Sequence, residues 1–278
     1  MTSRFRRAAV IVATATAVAA TAVGGWPADA GTSRSAHTWA GTSSATVHPG
    51  VVITVAGVRC VAGYVLADRH HVYLAVPASC TGVSDGSPVD GCLSAQVPVG
   101  LPVHVQGARH DGVLAYTSFT QMQLTGEQRS NRCANNSLSL VRLDPRDVKR
   151  TNPSLPAVGG PSAVSTDASA LPDQLSVLLN GAVTQAQATS TTAGGWARGM
   201  VVDGQVNAFS VGSPVVDAKG RAVGMVTYVP FQGGPGQTSV SDLGRELRLL
   251  RRTPGFAHVH LVRGTAGYAP SALPTPAL

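Results

Sequence analysis

Charge is scarce in this 278-residue chain: Asp, Glu, Lys and Arg together make up 13% of it. Long amphipathic runs are few. Gly, Ser, Thr, Val and Ala are plentiful instead, which argues against a helical bundle and for an all-β, turn-rich domain. The formal net charge is +7, carried almost wholly by Arg, with one cluster at Arg4, Arg6 and Arg7 and another over residues 245–252. No basic run is interleaved with aromatics, so the composition speaks against a nucleic-acid partner. There is no Gly-rich phosphate loop and no paired-carboxylate pattern. The four cysteines, Cys60, Cys80, Cys92 and Cys133, include no C-x-x-C pair, which argues against a zinc site. An even count in an exported chain instead suggests two disulfides, and sequence alone allows three pairings.

What is present begins with an export signature. Arg4, Arg6 and Arg7 form a positive start. Residues 8–23 are an apolar stretch of Ala, Val and Thr, and Ala28-Asp29-Ala30 is an A-x-A-like cleavage site. The stretch is short and mildly apolar for a spanning helix. Residues 1–30 are therefore read as a signal peptide and the product as secreted and extracellular, with no stable membrane insertion after cleavage. No Cys follows the apolar run, which argues against a lipoprotein. Residues 31–50 are Ser/Thr/Ala/Gly-rich and predict a flexible mature N-terminus.

β patterns follow. Strands are predicted at residues 51–55, 60–66, 72–76, 101–106, 112–116 and 138–143, with a helical turn at 120–124. Residues 144–160 are Pro- and Gly-rich and suit a crossing between two halves, placed near 144–172. A second set of strands is predicted at 174–179, 182–192, 196–202, 215–216 and 222–228. Asp217 to Gly220 supplies a hairpin turn. A capping box over Ser239-Val240-Ser241-Asp242 predicts one late helix, with Leu243, Leu247 and Leu250 on one stripe. Residues 256–262 predict a closing strand, and 265–278 a disordered Pro/Ala-rich tail.

Three segments carry a resemblance to bacterial secreted trypsin-like serine proteases. Around Gly212-Ser213-Pro214 the sequence resembles the nucleophile loop, commonly Gly-Asp-Ser-Gly-Ser-Pro. Around Cys60-Val61-Ala62-Gly63 and Ala78-Ser79-Cys80 it resembles the segment that bears the catalytic His. Around Cys133-Ala134-Asn135-Asn136-Ser137 it resembles the segment that bears the Asp. The similarity spans roughly residues 52–264. It implies a chymotrypsin-like double β-barrel with one C-terminal helix, and the disulfides Cys60–Cys80 and Cys92–Cys133.

The resemblance also implies that the chemistry is gone. The nucleophile position falls on Val211, the residue before it on Ser210, and the oxyanion-loop Gly on Phe209. The His position falls on Ser79 and the Asp position on Ser137. Acyl transfer needs a hydroxyl, an imidazole base, an orienting carboxylate and N–H groups for the oxyanion, and none of the three triad positions holds a residue able to serve. The chain is thus read as a degenerate member that acts by binding a protein or peptide in the former substrate cleft, with no cofactor and no metal. Two alternatives stand beside it. One is an active hydrolase with a relocated set, Ser210 or Ser213 with His70, His71, His104 or His110. The other is a purely structural envelope protein. Against relocation, Ser213 and Pro214 are read as holding their turn and Ser210 as a surface hydroxyl. His258 and His260 share a strand face, but no third ligand accompanies them.

Overall fold

The computed structural model describes residues 37–82, 90–166, 174–228 and 234–269. The expected signal peptide, residues 1–30, and most of the C-terminal tail lie outside the described residues. Among the described residues fourteen strands form two β units.

The first unit uses β1 (Val52–Val55), β2 (Val58–Val61), β3 (Tyr64–Ala67), β4 (Val72–Val76), β5 (Pro102–Val105), β6 (Gly112–Thr117) and β7 (Ser139–Arg142). The short β14 (His260–Leu261) returns from the chain's far end to pair with β3. These eight make one curled sheet in the order β14-β3-β4-β7-β6-β5-β1-β2. The second unit is a closed barrel in the order β10-β13-β12-β11-β8-β9. Its strands are β8 (Gln174–Leu179), β9 (Ala182–Thr192), β10 (Ala197–Val206), β11 (Pro214–Asp217), β12 (Ala222–Tyr228) and β13 (Gly234–Ser241). Every named strand pairing is antiparallel. Hairpin and meander connections need only short loops for that arrangement.

Each unit closes over its own apolar set, Ile53, Leu74, Leu114 and Val141 in the first and Leu175, Met200, Val215 and Val226 in the second. A third cluster joins them, with Tyr64 and Leu140 from the sheet meeting Val216 and Met225 from the barrel. Leu243, Leu247 and Leu250 of the late helix pack into the same seam. The Tyr64 hydroxyl is a polar tie across it. It donates to the Val215 carbonyl and accepts from the Val215 N–H at 3.0 Å. Burial pushes this phenol well above the usual tyrosine range, and the Asp217 charge adds to the rise, despite the carbonyls that accept from it.

The expected strands at 72–76, 174–179, 182–192 and 222–228 have the expected bounds. Others differ. The run at 60–66 is two strands, broken at Ala62-Gly63 where the chain turns from β2 into β3. The helix, α4, spans Leu243–Leu250 and is capped by Asp242, whose carboxylate accepts from the Arg245 N–H at 2.8 Å. The expected cap at Ser239 is instead inside β13, where the barrel ladder claims its backbone. Three short helices precede α4 in the chain: α1 (Ser118–Leu124), α2 (Ser130–Asn135) and α3 (Pro145–Val148). Both disulfides have the expected pairing, with Cα separations of 6.1 Å for Cys60–Cys80 and 5.1 Å for Cys92–Cys133.

Two expectations of loose chain need correction. Residues 37–50 pack against the crossing, with Val47 fully buried and bridged to Thr151. The Ala40 N–H donates to the Thr151 carbonyl at 2.9 Å. At the other end, residues 265–269 are also fixed. The Thr265 hydroxyl meets the Asn152 side chain, and the Ala269 N–H donates to the Val158 carbonyl. Low sequence complexity concealed these contacts, several of which are made by the backbone and the rest by Asn152 and Ser154 of the crossing.

Candidate functional site

Ser79 stands in a one-turn 3₁₀ helix, Ala78–Thr81, held by the disulfide at the next residue, Cys80. Its hydroxyl oxygen is enclosed and has no hydrogen-bond partner. Ser137 follows α2 and is buried. Its hydroxyl accepts from the Ala78 N–H at 3.1 Å, so it lies against the residue before Ser79. Val211 packs on the first unit's core, and its carbonyl accepts from the Val61 N–H at 2.9 Å. Val61 adjoins Cys60, the disulfide partner of Cys80. A short chain of contacts therefore links all three positions, from Ser137 through Ala78, Ser79 and the disulfide to Val211.

The loop before β11 is built around Asn207. Its side chain accepts from the Phe209 N–H at 2.9 Å, which opens the 3₁₀ turn Ala208–Ser210. The Ser210 hydroxyl returns the favour by accepting from the Asn207 N–H at 3.2 Å. Ser210 is therefore a buried cap and not the surface hydroxyl expected of it. The remaining N–H groups are also spent inside the protein. Ser210 donates to the Asn207 carbonyl, Val211 to Ala208, Gly212 to Val226 and Ser213 to Ser210. An oxyanion hole needs backbone donors aimed at open space, and the N–H groups from Phe209 to Ser213 all have acceptors. Phe209 itself projects outward, 59% exposed, with the Arg59 guanidinium 5.7 Å from its ring centre.

Among the described residues no histidine reaches the Ser213 hydroxyl, and the Ser210 hydroxyl is taken up by the Asn207 N–H. The Ser213 side chain is fully buried and its hydroxyl has no partner. His70 and His71 sit at a hairpin tip organised by Asp68, which accepts both of their N–H groups at 2.7 Å. His104 pairs with Asp111 at 3.3 Å in the open. His110 is better held, with Nδ1 2.9 Å from Asp147 Oδ2. Burial would raise the Asp147 carboxyl. The N–H groups of Arg109 and His110, with the His110 ring, outweigh burial and hold it below the usual carboxylate range. This base–orienter pair anchors α3 to the loop before β6 and has no serine partner. His260 Nδ1 donates to the His258 carbonyl. Among the described residues one His/Cys/Asp/Glu cluster has metal-like spacing, Asp90 with Cys92 and Cys133. Both sulfurs there belong to the disulfide, which leaves a single carboxylate.

One buried acid escaped the sequence reading as a site residue. Glu246, on α4, is 1% exposed. Its Oε1 accepts from the Ser137 N–H at 3.0 Å and its Oε2 from the Ser241 hydroxyl at 3.2 Å. Burial pushes its carboxyl up to about 8. The two donors oppose that rise, and the nearby Asp242 charge adds to it. Below that pH the group is neutral, and no imidazole touches it. The signal was available, because Glu246 falls between Leu243 and Leu250 on the apolar stripe of α4.

No protein-family model and no curated protein matches this sequence. Solved structures match its fold. The arrangement of curled sheet, closed barrel and late helix is the chymotrypsin-like fold. Thermobifida fusca Protease A has it with a TM-score of 0.51 at 12% identity, the match covering 79% of this chain and all of that one. A Nocardiopsis protease gives 0.48 at 15% identity over 77% of this chain and 98% of its own.

Proposed function

We propose that this protein is a secreted serine-protease homologue that binds a peptide or protein and does not cleave it. The observation that carries this reading is the loop from Phe209 to Ser213, whose N–H groups are all engaged internally. An enzyme of this fold would need at least two of them free to receive negative charge. Side-chain chemistry points the same way. Val211 has no heteroatom, the Ser79 hydroxyl has no base, and Ser137 meets a neutral acid. Losing one triad member costs several powers of ten, and residues acting as a unit do not compensate for one another. The two disulfides fit an oxidising, extracellular compartment.

The test has two arms. The purified protein is treated with a fluorophosphonate probe and assayed on a mixed-sequence fluorogenic peptide library. Neither labelling nor cleavage is expected. Labelling that disappears in Ser210→Ala or Ser213→Ala would overturn the reading. In the second arm the same library, immobilised, is screened for stable binding, and a selective subset of retained peptides is expected. Uniform failure to bind removes the peptide-binding half.

A further inference from the structure

A cavity of about 600 Å³ opens where the two β units meet, beside the Phe209 loop. That volume is within the usual range for ligand pockets. Val51, Val61, Leu178 and Phe209 supply apolar wall, while Arg59 and His48 are its basic side chains. None of its fourteen lining residues is acidic. Among the described residues Arg59 has no carboxylate within ion-pair distance, and its one ring contact is Phe209. His48 Nδ1 donates to the Pro49 carbonyl at 2.8 Å, leaving Nε2 as the ring's remaining polar atom. Arg is one of the residues most enriched where binding energy concentrates, and here it lies over an exposed aromatic ring. Its fork matches a carboxylate bidentately.

The backbone beside the cavity adds a second feature. β2 is the last strand of its sheet. The Val61 N–H is directed away from β1, since it donates to the Val211 carbonyl. Alternate residues of a strand direct their amides to the same side. Arg59 is two residues earlier and opposite Thr54 in the β1–β2 register, so its N–H and carbonyl face the same edge, where among the described residues they have no partner. An extended segment can add there as a strand.

Resting on the peptide-binding reading above, we propose that this cavity selects an acidic peptide, extended along β2, with a carboxylate side chain against Arg59 and apolar neighbours against Leu178 and Phe209. The selectivity is electrostatic and comes from a cationic lining with no internal counter-charge. The probes are blocked six-residue peptides of alternating Val and Glu, and the same peptides with Gln in place of Glu. Alternation puts every acid on one face of the strand.

Titration of the full-length protein by calorimetry should show the Glu peptide binding at least about tenfold tighter than the Gln peptide at low salt, as expected for a charge-assisted contact. The advantage should shrink as salt is raised. Arg59→Gln and Arg59→Glu should remove the preference without lowering the melting temperature, because Arg59 is exposed. Amide exchange at Arg59 should slow when the Glu peptide binds. Equal affinity for the two peptides, or unchanged affinity in both Arg59 variants, would overturn acid selection while leaving peptide binding standing. Isovalerate displacing the peptide fully without protecting the Arg59 amide would identify a small-acid site and overturn strand docking. Failure of these probes together with the whole immobilised library would defeat the peptide-binding reading itself.

Discussion

Gly212 shows how much of the nucleophile-like loop is set by backbone alone. Its φ is +99°, and a Cβ there would run into the carbonyl of Val61, the residue whose N–H holds the loop against β2. Gly212→Ala combines an unfavourable left-handed conformation with a backbone clash. A loss of about 2 kcal/mol or more is expected, beyond the usual Gly-to-Ala effect. Urea unfolding would measure it, and an unchanged midpoint would show that the loop can move off β2 freely. That the segments around residues 79, 137 and 211 lie together was legible in the resemblance, because flanking Cys and Gly-Ser-Pro residues mark them. The internal hydrogen bonding of the 207–213 loop was not. The Asn207 cap and the buried Ser210 hydroxyl depend on a turn that forms only once Phe209 points outward.

At the scale of elements, strands with β-branched alternation were legible and those without it were not. β4 and β9 carry the pattern, whereas β13 begins Gly234-Pro235-Gly236 and reads as a loop until the barrel supplies partners on both edges. α2, built from Ser130, Asn131, Arg132, Cys133, Ala134 and Asn135, is too short and polar to show a period. α4 was legible, but its inward acid gives it a pH dependence that spacing does not reveal. An unfolded Glu titrates near 4.5, whereas buried Glu246 holds its proton up to about 8. Between those values the folded state binds the extra proton. This group's effect on stability is therefore least unfavourable below about 4.5, worsens as pH rises and is complete above about 8, on the order of a few kcal/mol. Glu246→Gln keeps an acceptor for Ser137 and offers an N–H to Ser241. Relative to the native chain, the variant should gain stability between pH 5 and pH 8.5. Parallel pH slopes in chemical denaturation would show that Glu246 is already ionised in the fold.

For the molecule as a whole, the covalent ties are one-sided. Both disulfides lie in the first β unit and its loops, and the barrel has none. Closing loops with sequence separations of 20 and 41 residues stabilises by about 3 and about 4 kcal/mol on chain-entropy grounds. Reduction should therefore lower the melting temperature and raise amide exchange first around β2, α1 and α2, with the barrel ladder following. Simultaneous loss across both units would mean that the Tyr64 seam makes them a single cooperative block. The crossing between the units has a different kind of tie. Asn152 is buried, and its side-chain nitrogen donates both to the Ala40 carbonyl at 2.6 Å and to the Thr265 hydroxyl at 2.8 Å. One amide thus holds the first and last described stretches of the chain. In mechanical terms it is a cleat: a chain pulled from either end must give up its hold on residues 151–160, Asn152 among them, before β1 or β14 of the sheet is peeled.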